Sequence, residues 1–357
     1  MSKKVIVAMS GGVDSSVALL LLKEQGYAPI GVMMKLFDND HCRADSDDAC
    51  DSLRNIKDAR GIAESMGIPF HVFDFTEDFK HIVISHFVDS YIEGATPNPC
   101  IVCNRYLKFN KLFSCMYDLG ADNYATGHYA RIEYDNNSGR YLLKKALDES
   151  KDQSYVLYNM TQEQLKHTIF PLGNYSKPHV REIAGNHGFK NANKSDSQDI
   201  CFIRDGDYVG FIERITGKNF ESGNFIDTNG NILGHHNGLI RYTVGQRKGL
   251  GISLNKPMYV LSKNVTDNTV TLCEDNELFS KTLDAAEFNW IAYDKVDDPI
   301  RAMAKIRYAH TPASATVTPT SESTVNIEFD KPQRAIAKGQ AVVLYDGETV
   351  IGGGTII

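Results

Sequence analysis

Val5-Ile6-Val7-Ala8-Met9-Ser10-Gly11-Gly12-Val13-Asp14-Ser15-Ser16 is the stretch on which the fold turns. Lys4–Met9 is short and apolar, as a strand buried on both faces must be. Ser10–Gly12 reads as a turn. Asp14 to Gln25 carries an apolar helical face and stops at Gly26, a residue suited to a helix C-cap. The spacing is not that of the common P-loop, which needs a Gly-Lys-Ser/Thr ending, nor that of the dinucleotide fingerprint. Two glycines let backbone N–H groups turn inward, and Ser10, Ser15 and Ser16 add hydroxyl donors. The helix N-terminus behind them adds positive dipole, which completes a nest for a pyrophosphate. The string holds no lysine, so Mg²⁺ is expected to share the neutralisation, with Asp14 the nearest carboxylate. The ordinary alternative is a glycine turn with Asp14 as a plain N-cap.

Working outward, Tyr27–Met34, Phe70–Phe75 and Asn123–Thr126 read as further strands. Helical stretches lie between them, notably Ala49–Met66, closed by Gly67 and Pro69. Strands alternating with helices imply a Rossmann-like parallel sheet covered on both faces, with ligands at the carboxyl ends of the strands. Asp38–Asp51 reads as a polar loop. After about residue 205 the character changes. Asn229-Gly230, Asn237-Gly238 and Asp346-Gly347 mark turns, and Arg301–Tyr308, Ala315–Thr318, Thr324–Phe329 and Ala341–Tyr345 have strand length and pattern. This part is expected to be all-β, one or two small barrels. The division is 1–205 for an α/β nucleotide-binding domain, 206–280 for a small β-rich domain and 281–357 for a C-terminal β-barrel.

With 357 residues, the chain has room for two or three domains. A hydrophobic share of 42% and a charged share of 23% exclude wholesale disorder. The longest aliphatic run, Val17–Leu22, is far short of a membrane span, and Met-Ser-Lys-Lys does not lead into a signal-peptide core. A cytoplasmic protein with no membrane partner is expected. The net charge of −7 does not announce a nucleic-acid binder, yet residues 301–340 hold six Lys/Arg against three Asp/Glu. A local basic surface is what phosphate contacts need. Arg241, Arg247, Lys248 and Lys256 form a second basic stretch on a glycine-rich loop.

The seven cysteines are 42, 50, 100, 103, 115, 201 and 273, an odd and irregular set that argues against a disulfide framework. Cys100-Ile101-Val102-Cys103 follows the stiff Thr96-Pro97-Asn98-Pro99, and Asn104–Lys111 reads as the start of a helix. A thiol near a helix N-terminus is expected to have a lowered pKa. Cys201 sits in Ser195-Asp196-Ser197-Gln198-Asp199-Ile200-Cys201-Phe202. Three readings remain open for these thiols: small buried hydrophobes, zinc ligands lacking a complete set, or a sulfur-transferring pair.

Ser10-Gly11-Gly12-Val13-Asp14-Ser15 resembles the loop of the PP-loop ATP pyrophosphatases. The whole chain resembles the tRNA-specific 2-thiouridylases of the MnmA/TrmU family. The matching segments are that loop, Thr96–Phe109, Ala125–Tyr129, Lys151–Tyr155, the Cys201 segment, Gly245–Gly251 and Gly352–Gly354. The resemblance implies that ATP lies on Ala8, Met9, Ser10, Gly11, Gly12, Val13, Asp14 and Ser15, with Met34 and Gly127 nearby. It implies that the wobble uridine of the tRNAs for lysine, glutamate and glutamine is flipped into the pocket. The C2 oxygen of that base would attack the α-phosphate. Cys201 would carry a persulfide loaded by a sulfur carrier protein or cysteine desulfurase. Cys103 would act as nucleophile, leaving a Cys103–Cys201 disulfide for a cellular thiol reductant.

By the same resemblance Asn98, Pro99 and Cys100 would meet the target base. His128, Lys151, Asp152, Gln153, Arg307, Tyr308 and Gln340 would touch the tRNA. From the residues alone, His128 reads as a satisfied core histidine, and Arg307 with Tyr308 as one charge and one stacking face on a strand. One position departs from the family: Cys100 stands where an Asp is common. Either another group then moves the proton there, or Cys100 has a thiol role. Cys100, Cys103 and Cys201 as ligands of an iron–sulfur cluster are one such alternative. A non-catalytic tRNA-binding relative and an amide-forming PP-loop ligase are the other readings. The thiol pair speaks against the ligase.

Overall fold

A computed structural model describes residues 2–37, 51–194, 200–203 and 206–357. The polar stretch 38–50, the first residues of the helix expected from Ala49, and Ser195–Asp199 of the Cys201 segment lie outside the described residues.

The first domain is built on strands β1 (Lys4–Ala8), β2 (Ala28–Lys35), β3 (Phe70–Asp74), β4 (Asn123–Thr126) and β7 (Thr168–Ile169). They lie in the order β3-β2-β1-β4-β7, and every pairing is parallel. Val5, Ile6 and Val7 are all fully buried, which is why β1 shows no alternation. Val5 and Val7 pack with helices α1 (Val13–Glu24) and α2 (Asp51–Ser65) on one face. Ile6 packs with Phe113, Met116 and Tyr124 on the other. The chain winds from β1 to β2 and β3 on one side, then returns to place β4 on the other. The gap between the carboxyl ends of β1 and β4 is therefore the topological switch point, where ligands of such sheets bind.

Strands β8 (Gly223–Ile226), β9 (Ile232–His236), β10 (Tyr259–Asn264) and β11 (Thr269–Cys273) form a separate sheet in the order β10-β11-β8-β9. The last part is a closed barrel of β12 (Phe279–Trp290), β15 (Val325–Arg334), β14 (Ala313–Pro319), β13 (Ile300–Lys305), β16 (Ala341–Asp346) and β17 (Thr349–Ile356), with β17 pairing back to β12. Closure leaves no free edge within it. A hairpin of the first domain, β5 (Arg131–Asp135) and β6 (Arg140–Lys144), adds to β17 through the pair Thr349 and Lys144. Gly352–Gly354 lies within β17. A Cβ at Gly353 would stand 2.7 Å from the Tyr158 ring and one at Gly352 2.3 Å from the Asn289 carbonyl, so only glycine allows this close packing.

Two sequence expectations need correction. The helix expected from Asn104 begins at Pro99: Asn98 is its N-cap, Pro99 takes the first position, and residues 99–103 are already helical before the wide turns of Asn104–Leu112. Arg307 and Tyr308 are not on a strand. β13 stops at Lys305, and a turn follows in which His310 N–H donates to the Arg307 carbonyl at 3.0 Å.

Candidate active site

Between β1 and α1 the chain turns at Ser10–Gly12. Gly11 has a φ of +76°, and a Cβ on it would meet the Asn55 backbone at 2.8 Å. The N-cap of α1 is Gly12, not Asp14, and it has no side-chain cap bond. The serines order the turn instead. Ser15 Oγ donates to the Gly12 carbonyl at 3.1 Å and accepts from Ser10 N–H at 3.2 Å, while Ser16 Oγ donates to the same carbonyl at 3.0 Å. Asn191, which sequence reasoning missed, locks the turn from behind: its Nδ2 donates to the Gly11 carbonyl and to Ser16 Oγ. Gly127 closes the opposite wall. A Cβ there would sit 2.8 Å from the Ser15 nitrogen, so β4 approaches the first turn of α1 only because residue 127 is glycine. Ala8 pairs with Thr126 in the sheet register, which sets Ala8, Met9 and Gly127 around one opening. Met34 lies at the end of β2 beside it.

The string itself holds no lysine, but the tertiary structure brings one to it. Lys177, at the start of helix Lys177–Asn186, reaches Asp14 with its Nζ at 2.7 and 2.8 Å from the two carboxylate oxygens. The Tyr129 hydroxyl donates to the same carboxylate at 2.8 Å. Lys177 is buried, so the cation stands behind the loop paired with the Asp14 carboxylate. Among the described residues no group of three or more His, Cys, Asp or Glu side chains is placed to hold a metal ion. The three cysteines expected as cluster ligands are not gathered into such a group among those residues.

The thiols lie on the next layer. Asn98 Oδ1 accepts from Cys100 N–H at 3.1 Å and starts the helix Pro99–Cys103. Cys100 and Cys201 are exposed, and Cys103 is buried. Cys103 belongs to an apolar cluster with Phe79, Val83, Val102 and Leu107, against which Met34 and Phe202 pack. Phe202 stacks edge-on against Phe79, with centroids 5.6 Å apart. Cys103 is thus tied on one side to the end of β2 and on the other to the segment carrying Cys201. The two thiols and Cys100 feel one another's charge. Burial pushes the Cys103 thiol up, as it does that of Cys201, which lies open to solvent but with protein around most of it. The lowered pKa expected from the helix N-terminus is therefore outweighed: Cys103 sits past the first turn, where the dipole has faded.

The remaining expected contacts divide into exposed and internal ones. His128 is partly buried. Its Nδ1 and the Thr126 hydroxyl lie 2.7 Å apart, its ring packs near Phe109 and Phe170, and burial holds it neutral. Asp152 accepts from Ala146 N–H and from Ser154, and Gln153 Oε1 accepts from Tyr129 N–H, so both brace the wall behind Gly127. Lys151 begins that brace. Tyr308 donates to the Asp152 carbonyl at 3.0 Å, and Arg307 to the Arg334 carbonyl at 2.8 Å. Gln340 Nε2 donates to the Thr96 carbonyl at 2.7 Å, which ties the barrel to the loop leading into Cys100.

A parallel α/β sheet with a glycine–serine turn after β1, and three cysteines within reach of one another's charge, are the features that any relative must share. Residues 3–205 match the family model described as tRNA methyl transferase HUP domain, residues 209–274 the PRC-barrel domain and residues 280–356 the aminomethyltransferase β-barrel domain. The chain is 52% identical over 356 residues to the tRNA-specific 2-thiouridylase MnmA of Clostridioides difficile (strain 630), covering 100% of this chain and 98% of that one. It is 50% identical to the protein of the same name from Clostridium acetobutylicum, covering 100% of each. Among solved structures, NMN synthetase from Francisella tularensis overlaps with a TM-score of 0.34 at 17% identity, over 61% of this chain and 78% of that one. The chain belongs to the MnmA family of tRNA-specific 2-thiouridylases.

Proposed function

We propose that this chain converts the wobble uridine of tRNA to 2-thiouridine, using ATP to activate the base and the Cys103–Cys201 pair to deliver sulfur. The observation that carries the reading is the apolar cluster running from Met34, at the end of β2, through Cys103 to Phe202, which supports a cavity shared by the turn after β1 and the thiols. The relatives' name supports the same chemistry. The thiol pair favours sulfur transfer over the methyl transfer in the family-model description.

ATP binds with its phosphates on Ala8–Ser15. The inward N–H groups of the turn and the Lys177 charge favour the departing diphosphate. The uridine is held beside Asn98, Pro99 and Cys100, and its C2 oxygen attacks the α-phosphate. Pyrophosphate leaves, and the oxygen becomes part of a good leaving group, AMP. Cys201 arrives as a persulfide from a sulfur carrier or desulfurase. Cys103 releases that sulfur to C2, and a thiol reductant reopens the resulting disulfide. Cys100 cannot serve as the carboxylate proton shuttle, since a free thiol has a pKa of about 8.5 against about 3.9 for Asp. We assign that proton to His128, at the end of β4, whose ring burial holds neutral.

The test is mass spectrometry of tRNA nucleosides after incubation with ATP, Mg²⁺ and a persulfide donor. Cys201→Ser is expected to keep tRNA-dependent pyrophosphate release and to make no 2-thiouridine. Thiolated product at the wild-type rate from that variant would end the persulfide assignment.

A further inference from the structure

Sulfur transfer of the kind proposed above needs a thiolate, and the surroundings of the two thiols oppose one. Phe79, Val83, Val102 and Leu107 enclose Cys103, and Phe202 carries the same apolar surface to Cys201. Burial alone would leave both sulfurs protonated near neutral pH. Among the described residues one cation faces them. Lys108 lies five residues beyond Cys103, in the wide turns of Asn104–Leu112, where the i→i+5 pattern brings residue 108 back to the Cys103 side of the helix. It is half-buried, and among the described residues no carboxylate or carbonyl is bonded to it. Its charge acts on Cys103, on Cys201 and on the His128 ring, and in each case it favours the electron-rich form. The other titratable groups facing the pair are Cys100, Tyr124 and His128. Burial holds the Tyr124 phenol and the His128 imidazole uncharged, so neither competes as a counter-charge.

We propose that Lys108 is the positioning residue of the sulfur-transfer step, the cation that steadies the Cys103 sulfur as the attacking thiolate. This rests on the sulfur-transfer reading and adds the source of the nucleophile. The Cys103 thiolate attacks Sγ of a Cys201 persulfide. The Cys103–Cys201 S–S bond forms as the bond from Cys201 Sγ to the terminal sulfur breaks, and its electron pair leaves with that sulfur as hydrosulfide. Cys103 is oxidised to the disulfide level, Cys201 Sγ keeps the level it had in the persulfide, and the terminal sulfur is reduced. Hydrosulfide then adds to C2 of the adenylated uridine and AMP departs. Lys108 keeps its proton throughout. A persulfide donor starts the cycle and a two-electron thiol reductant restores it.

The experiment measures the rate of Cys103 alkylation by iodoacetamide in the full chain from pH 6.5 to 10, with the modified residue located by peptide mass spectrometry. Lys108→Met is expected to move the midpoint of that profile upward by about one pH unit, the low end of what a neighbouring opposite charge does to a pKa. Lys108→Arg is expected to return the midpoint to the wild-type position. The midpoint does not depend on how easily the reagent reaches the buried sulfur. An unmoved midpoint in Lys108→Met, or an equal displacement in Met and Arg variants, overturns the proposal. Neither tRNA nor ATP enters the assay. A wild-type chain that made no 2-thiouridine would sink the function reading and leave this result standing by itself.

Discussion

At the residue scale, the decisive feature is a charge that the sequence holds far from where it acts. The phosphate string has no lysine, and Lys177 supplies one from 163 residues further along. Its ammonium is buried and bonded to both oxygens of Asp14, with the Tyr129 ring beneath it, centroid 5.8 Å away. Asp14 is therefore the anchor of a cation, not the cap of a helix, and its loss leaves that cation unpaired in the protein. Lys177→Met is expected to slow tRNA-dependent pyrophosphate release at least tenfold, because the cation behind the phosphate turn is lost. The same variant is expected to lose about 3 kcal/mol in urea unfolding, the low end for breaking a buried pair, since Asp14 keeps 30% of its side chain exposed. Wild-type pyrophosphate release from a folded Lys177→Met chain would show that Lys177 serves stability alone.

At the scale of elements, the site is a meeting of strand ends, and glycines decide how closely they meet. Gly127 brings β4 against the Ser15 nitrogen, and its Cβ-free surface is what leaves the turn open above Ala8. Gly127→Ala is expected to weaken ATP binding about tenfold in a fluorescence or calorimetric titration. A Cβ at 2.8 Å from backbone must push α1 and β4 apart, and neither is a flexible side chain that can yield. Unchanged affinity would mean that the first turn of α1 gives way freely. These elements were legible in the chain to different degrees. The strand, turn and helix from Lys4 to Gln25 announce themselves because apolar run, glycines and C-cap agree. The helix start at Pro99 was missed although Asn98-Pro99 is a capping signal, because the prolines were read as a stiff approach. Lys177 and Asn191 were invisible for another reason. Nothing in local pattern tells which side chain of a distant helix will face a loop.

At the scale of the whole molecule, the C-terminal barrel acts as a clamp on the loop that starts the thiol helix. Gln340 Nε2 donates to the Thr96 carbonyl, and Thr96 N–H donates to the Lys338 carbonyl at 2.9 Å. Gly339 between them has a φ of +87° and lies so close that a Cβ would reach Thr96 N at 3.0 Å. The Tyr155 hydroxyl donates to the Ala341 carbonyl at 2.8 Å, and the Ser154 and Tyr345 hydroxyls lie 3.3 Å apart. All of these contacts converge on residues 338–345, which hold both Thr96 and the 154–155 turn. A tRNA gripped by the basic stretch 301–340 would press on the same place, which gives Gln340 two separable roles. If it touches the tRNA, Gln340→Ala raises the tRNA dissociation constant and leaves bound turnover alone. If it holds the Thr96 loop, the reverse holds. The bond it makes favours the second. Losing one such bond is worth about 1 kcal/mol, or roughly fivefold in the population of a correctly placed loop. Gln340→Ala is therefore expected to lower the single-turnover thiolation rate about fivefold with saturating tRNA. Filter binding should find the dissociation constant within twofold of wild type, and a larger weakening with an unchanged rate would return Gln340 to the tRNA surface.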